Sequence, residues 1–215
     1  MIEITNVEVL GWEHAIRGMR NPMNSWSKSD SELGIYDEEM NKLLFKDFNI
    51  GDNDLNLMKR LSKAGNDHGK YLRMITVYLD VNAPLYWWKE FDTYKVGTTA
   101  NSCSTMHKVH SKEFTLDDFS HEHLSPISMG LLKVVIGHLN EYRDAYNKGL
   151  NNKEYWWQLI QLLPSSYNQL RTVTLNYQVL KNMYHSRKNH KLNEWRDFCK
   201  WIETLPYSEL ITGNE

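Results

Sequence analysis

The chain has 215 residues and a formal net charge of -2, so it offers no global basic field of the kind that neutralises duplex phosphates, and nucleic acid is not an expected partner. Its two cysteines, Cys103 and Cys199, form neither a disulfide framework nor a metal-ligand spacing. The longest apolar runs are too short to span a bilayer and no secretory leader is evident, which predicts a cytoplasmic protein with no membrane partner. A single domain covering residues 1–215 can bury roughly 70% of its unfolded surface in one core without a staple.

In chain order, Ile2, Ile4, Val7 and Val9 alternate and predict an edge strand stopped by Gly11. A helix over Trp12 to Met19 ends at Asn21-Pro22. Arg17 and Arg20 lie three apart on one side of it and read as solvated charge, with a phosphate clamp as the alternative. After a polar loop, Asp37 is expected to cap a helix whose apolar face is Met40, Leu43 and Leu44. A further helix over Asp52 to Ala64 packs Leu55, Leu57, Met58 and Leu61 inward, with Gly65-Asn66 as its stop.

His68-Gly69-Lys70 forms a turn into a strand over Leu72 to Val81, in which Ile75, Val77, Leu79 and Val81 make a purely aliphatic, core-facing set. Pro84 closes that strand, and a helix over Leu85 to Tyr94 carries Tyr86, Trp87, Trp88 and Phe91. The following polar run of Gly, Thr, Asn, Ser and Cys reads as a loop. His107, His110, His121 and His123 read as polar loop residues, because no third ligand stands at useful spacing from His121-Glu122-His123. The clearest amphipathic helix is Gly130 to Asn147, with Leu131, Leu132, Val135, Leu139, Tyr142 and Tyr146 near one stripe.

A helix over Lys153 to Leu163 is apolar nearly all round and ends at Pro164. Arg171 to Leu175 alternates as a short strand, with Val173 and Leu175 on one side. Helices over Val179 to Ser186 and Asn193 to Thr204 follow, the second facing inward through Trp195, Phe198, Trp201 and Ile202. The tail beyond Tyr207 is expected to fray. The four tryptophans Trp87, Trp88, Trp156 and Trp157 read as core or subunit interface, and Cys103 as an inert thiol.

Two blocks of this pattern resemble the flavin-dependent thymidylate synthases. The family's signature is a strand ending in Ala-Pro, a helix, and R-H-R-x-x-S-x-N-E-x-S-x-R-Y; its second block runs from Leu-Pro through a strand to a helix ending in Leu-Arg and a turn with H-A-Q. Here Ala83-Pro84 is followed by Thr93-Tyr94-Lys95 where Arg-His-Arg is expected. Thr98 stands for the first Ser, Asn101 and Ser104 match Asn and Ser with one residue inserted, and Met106 falls where the family has a phosphate-binding arginine. Leu163-Pro164, Asn176, Leu180, Arg187, His190 and Arg196 follow the second block, and His68 stands where the family's H-x-x-P-x-E-H segment begins. The order of elements agrees over roughly residues 55 to 205.

The resemblance implies an α+β fold with a central, mostly antiparallel sheet and a helical layer, assembled as a homotetramer with active sites between subunits. It implies FAD as cofactor, a pyrimidine deoxynucleotide as partner, methylene-tetrahydrofolate as one-carbon donor and reduced flavin as hydride source, with no cysteine nucleophile. It places Arg187 at the pyrimidine ring as catalytic and substrate-binding residue, since a planar fork of N–H donors suits charge developing there. The bland alternative for Arg187 is a cation on a helix C-terminus. Arg171, Lys95 and Ser104, with the backbone amides of Thr99 to Ser104, fall to the substrate phosphate; the alternative for Arg171 is a surface strand charge. His68, Tyr94, Thr98, Asn101 and Asn176 fall to the cofactor. Three functions stay open: reductive methylation of dUMP, modification of another pyrimidine deoxynucleotide, and a non-catalytic descendant binding a nucleotide or a protein.

Overall fold

Strand β1 (Glu3–Leu10) ends at Gly11, whose φ of 95° and close approach to the Met74 carbonyl, 2.2 Å from where a Cβ would stand, admit only glycine. The structure, a computed structural model, describes residues 2–32, 36–37, 42–43 and 49–213. Helix α1 (Trp12–Arg20) leads to Asn21-Pro22, where the chain tightens into a 3₁₀ turn. Arg20 is not solvated charge: it is 4% exposed, and its Nε donates to Asp54 Oδ1 at 2.6 Å. A buried charge needs a partner and further hydrogen bonds. Ser29 Oγ and Ser31 Oγ supply them to Asp54 Oδ2 at 2.6 Å each. Burial alone would raise the Asp54 pKa, but these hydrogen bonds and the Arg20 charge hold it below the ordinary carboxylate value.

Asp37 does not cap a helix. Tyr36–Asp37 (β2) pairs antiparallel with Lys42–Leu43 (β3), Asp37 opposite Lys42, so the backbone at Asp37 serves a strand ladder instead of a helix start. Met40 and Leu44 of the expected helix lie outside the described residues. Helix α2 (Asp52–Lys63) buries Met58 fully, with Leu55, Leu57 and Leu61 partly buried against the same core.

Strand β4 (Thr76–Pro84) starts four residues later than its alternation predicts. Leu72 is instead buried in the 3₁₀ turn Gly69–Arg73, closed by Met74 N–H donating to the Tyr71 carbonyl at 2.9 Å. Ile75, Val77, Leu79 and Val81 are at most 1% exposed, so the aliphatic face is the core face. Pro84 hands the chain to α3 (Leu85–Phe91), whose Trp87, Trp88 and Phe91 are buried. The polar run then contains a strand that the sequence does not announce, β5 (Thr99–Ser102). All four of its residues are exposed, so no apolar alternation marks it.

Helix α4 (Pro126–Asn147) begins a turn before its periodic stripe, with Ser125 Oγ accepting from Ser128 N–H and Pro126 at its first position. It buries Leu132, Ile136 and Leu139, while Leu131 of the expected stripe is 64% exposed. Together with α5 (Asn152–Leu162) and residues 109–119 it forms a second hydrophobic cluster around Phe114, Phe119 and Leu159.

Strand β6 (Asn168–Asn176) pairs with β4 along its whole length, from Asn168 opposite Pro84 to Asn176 opposite Thr76. The sheet order is β1-β4-β6-β5 and every pairing is antiparallel. Helices α6 (Tyr177–Arg187) and α7 (Asn193–Glu203) contribute Leu180, Met183, Trp195, Phe198 and Ile202 to the main core. The tail does not fray by residue 212: α8 (Glu209–Thr212) buries Leu210 and Ile211, at 1% and 0% exposed, and Ser62 Oγ donates to the Leu210 carbonyl at 2.9 Å. Burial of those two side chains outweighs the short length of the helix. Among the described residues no helix is long and apolar enough to cross a membrane.

Candidate functional site

The residues singled out by sequence gather around α6, which follows β6 without a loop. Asn176 sits in extended conformation at the junction, and its Oδ1 accepts from Val179 N–H at 3.1 Å, capping the helix. The segment after α3 folds back against this end. Gly97, at φ 76°, comes so close that a Cβ would lie 3.0 Å from Asn176 Nδ2 and 3.2 Å from Val179 Cγ2. Its neighbour Thr98 has its Oγ1 buried without a hydrogen-bond partner. His68 is exposed and precedes Gly69, which is buried and whose added Cβ would stand 3.7 Å from Gln178 Oε1, also on the first turn of α6. Two residues predicted for the cofactor, Thr98 and Asn176, therefore meet at the N-terminal end of α6, where the helix favours negative charge, whereas His68 reaches that turn only through Gly69, beside Gln178 on another face of the helix.

Eleven residues make α6 about 16 Å long, and Arg187 closes its other end. The Arg187 Nε donates to Tyr94 Oη at 3.0 Å and Nη1 to Glu90 Oε2 at 2.8 Å, while its guanidinium lies 4.9 Å from the Trp195 ring centroid and 5.7 Å from that of Tyr94. Glu90 Oε2 also accepts from Trp195 Nε1 at 2.9 Å and lies 3.3 Å from His190 Nε2. The guanidinium plane is thus fixed by a carboxylate, a phenol and two aromatic rings, yet the side chain keeps 21% exposure. Arg187 is also a basic residue of the last helical turn, the position that the dipole reading of the sequence describes. Sequence reasoning missed Glu90; the available signal was a carboxylate inside an aromatic helix, one turn before Tyr94. Tyr94, predicted for the cofactor, stands at the Arg187 end, with Tyr94 to Gly97 spanning back along the helix.

Of the residues predicted for the phosphate, Arg171 lies on β6 and Ser104 just after β5, on another side, whereas Lys95 belongs to the segment that spans back along α6. Arg171 Nε donates to Gln169 Oε1 at 3.0 Å and Nη1 to Asp92 Oδ1 at 2.8 Å, with its guanidinium carbon 4.2 Å over the Trp88 ring. Gln169 Nε2 in turn donates to the Cys103 carbonyl at 2.7 Å. Ser104 lines a cavity of about 510 Å³ together with Lys108, Lys112, Asn82, Tyr167 and Gln169. Its Oγ accepts from the N–H groups of Met106 and His107 at 3.2 and 3.0 Å, so this oxygen shapes the turn after β5. Lys112 is paired with Asp118, and that hydrogen bond raises its pKa.

The amides of Thr99 to Ser104 do not form the expected cradle. β5 is extended against β6, with Thr99 opposite Thr174 and Ser102 opposite Arg171, and Cys103 N–H donates to the Leu170 carbonyl at 2.9 Å. Alternate amides of an edge strand serve the ladder, so only the outward half are open. Asn101 is exposed on this edge opposite Thr172, and Lys95 is exposed. Trp156 Nε1 donates to the Met106 carbonyl at 3.0 Å, tying α5 to the same turn. The histidines go to separate partners: His110 to Asn147, His121 to the Phe119 carbonyl and His123 to Asn193. Among the described residues no three His, Cys, Asp or Glu side chains are grouped to hold a metal ion.

No family model and no curated protein sequence matches the chain. Solved structures do. Thymidylate synthase X (ThyX) from Helicobacter pylori with FAD and dUMP matches at a TM-score of 0.67 and 14% identity, covering 99% of this chain and 97% of that one. A second structure of the H. pylori flavin-dependent enzyme, complexed with FAD and dUMP, matches at 0.66 and 14% identity, covering 98% and 97%. PolB from Streptomyces cacaoi, a UMP/dUMP methylase bound with 5-Br dUMP, matches at 0.60 and 12% identity, covering 99% and 95%. The chain has the fold of the flavin-dependent thymidylate synthases, a mixed helix and sheet fold as its sequence implies.

Proposed function

We propose that this protein is a flavin-dependent enzyme that reductively methylates a pyrimidine deoxynucleotide, dUMP in the first instance, with methylene-tetrahydrofolate as one-carbon donor. The reading is carried by one observation. The elements that resemble the family's two signature blocks lie side by side in a fold shared over nearly the whole chain with proteins crystallised with FAD and dUMP. FAD, when bound, supplies the hydride. The residues present fit such a group in a way that does not depend on likeness: the buried Thr98 hydroxyl lacks a partner, and Asn176 commits only its Oδ1 to the helix cap. A flavin's polar edge would satisfy both, and His68, beside another face of α6, is assigned to the cofactor by its sequence position alone.

Arg187 is assigned to the pyrimidine ring. Its guanidinium, held by Glu90, Tyr94 and Trp195, would stabilise negative charge developing on ring oxygen and nitrogen. Ser104, Arg171 and Lys95 are assigned to the phosphate, with Lys108 lining the same cavity as Ser104. Arg187 and Ser104 belong to separate groups within one chain. A homotetramer of single-domain subunits, with sites between them, would bring one subunit's Arg187 to another's cavity.

The test is to incubate the purified protein with FAD reduced by dithionite, methylene-tetrahydrofolate and dUMP, and to follow dTMP by chromatography. dTMP formation that Arg187→Ala slows about 10²- to 10³-fold is the expected result; dUMP recovered unchanged at stoichiometric enzyme would overturn it. A second reading, another pyrimidine nucleotide as substrate, is favoured by the likeness to a methylase of UMP and dUMP. Turnover of UMP or dCMP in the same assay, without turnover of dUMP, would select it. Nucleotide binding without turnover of any of them would leave the non-catalytic descendant.

A further inference from the structure

Glu90 is held by one oxygen only. Its Oε2 accepts from Arg187 Nη1 at 2.8 Å and from Trp195 Nε1 at 2.9 Å, and lies 3.3 Å from His190 Nε2. His190 Nδ1 accepts from Leu192 N–H at 3.2 Å, which leaves the proton of the neutral ring to Nε2, beside the same oxygen. Glu90 Oε1 has no hydrogen-bond partner among the described residues, and the side chain is 35% exposed. Arg187 matches it: Nε is taken by Tyr94 and Nη1 by Glu90, while Nη2 has no hydrogen-bond partner among the described residues.

The buried Arg20–Asp54 pair is built differently. There Arg20 takes Asp54 Oδ1, and Ser29 and Ser31 fill Oδ2. The Glu90–Arg187 pair instead leaves a carboxylate oxygen and a pair of guanidinium N–H groups side by side, positioned by the protein and not satisfied by it. An acceptor beside a donor complements a planar edge that carries an N–H group next to a lone pair. Cytosine presents that edge as its N4 amino group beside N3, and a carboxylate is the usual partner of that amino group. Uracil offers N3–H between two carbonyl oxygens, so a carboxylate that accepts from it also meets the lone pairs on both sides.

We propose that Glu90 and Arg187 together read the base, and that this site takes a cytosine nucleotide at least as readily as dUMP. The proposal rests on the assignment of Arg187 to the pyrimidine ring and makes Glu90 the residue that sets base specificity. Arg187 Nη1 and Trp195 Nε1 are donors only, so a glutamine at position 90 must turn its carbonyl oxygen to them and place its NH₂ group where Oε1 stands. Glu90→Gln therefore exchanges the outer acceptor for a donor, which suits O4 of uracil and opposes the amino group of cytosine.

The test titrates dCMP and dUMP separately by calorimetry into the full-length protein and its Glu90→Gln variant, with FAD in excess and melting temperatures recorded for both. The two nucleotides share sugar and phosphate, so the ratio of their Kd values reports the base edge. The parent should bind dCMP no more weakly than dUMP, and Glu90→Gln should move the ratio at least about tenfold towards dUMP. Weaker binding of dCMP than of dUMP by the parent, a readout that needs no variant, would overturn the proposal and leave the proposed reaction on dUMP standing. So would an unmoved ratio with both affinities lowered together, the result expected if Glu90 only supports Arg187. Binding of neither nucleotide by the folded protein would overturn this proposal and the proposed function with it.

Discussion

Residues 74–91 and 93–107 are neighbours in the chain and opposites in physics. The first segment buries Ile75, Val77, Leu79, Val81, Ala83, Trp87, Trp88 and Phe91 at no more than 1% exposure. The second is almost wholly at the surface, with β5 exposed along its length and Val96 at 90% exposure. Burial restricts what a position tolerates, whereas an exposed edge strand tolerates wide change. The resemblance to a family survives in the buried segment for that reason, and the departures from its signature, Thr93, Lys95 and Met106, all fall in the exposed one.

Substitutions should separate the two segments. Trp87→Ala removes a fully buried ring that meets Trp88, Phe91, Trp195 and Phe198 at centroid distances of 4.8 to 5.6 Å. It should cost about 3–5 kcal/mol in urea unfolding, and a loss under about 1 kcal/mol would break the contrast. Asp54→Ala, in a charged pair buried as deeply as the core, should cost about 3 kcal/mol by leaving Arg20 unpaired. Since the folded-state pKa of Asp54 lies below the ordinary 3.8, its contribution is full above that value and lost as pH falls through the folded value. Acid titration of stability should show that limb in the parent protein and a flatter one in Asp54→Asn.

Arg187→Ala should lower turnover about 10²- to 10³-fold, and Arg187→Lys should recover little of it, because a point charge cannot serve Glu90 and Tyr94 while facing a ring. Full rescue by lysine would reduce Arg187 to a helix-end cation. Asn176→Ala should destabilise by about 1 kcal/mol through loss of the α6 cap and also weaken FAD binding in a fluorescence titration; a stability loss with unchanged flavin affinity would confine Asn176 to capping. Asn101→Ala, on the exposed edge, should change stability by less than about 0.5 kcal/mol, as thermal unfolding would register.

Strong patterns made much of this fold legible. The aliphatic alternation of β4, the Pro84 stop, the aromatic helix α3 and the run from β6 into α6 all follow from local periodicity and punctuation. β5 was hidden because its order comes from β6 rather than from its own residues, and α8 because Leu210 and Ile211 gain their burial from distant helices. The candidate site was legible in its residue types but not in its grouping. Arg187 and Glu90 are 97 positions apart, and Arg171 and Asp92 are 79 apart, distances along the chain that no spacing rule bridges. The Arg20–Asp54 pair, 34 positions apart, misled for the same reason.

The most direct test of a nucleotide-modifying flavin site is the visible spectrum of the purified protein during FAD titration, followed by addition of dUMP. The expected result is a bound flavin whose absorbance shifts with dUMP, with Thr98→Val weakening the flavin and Arg187→Ala removing the dUMP response. A folded protein that stays colourless in excess FAD would contradict it.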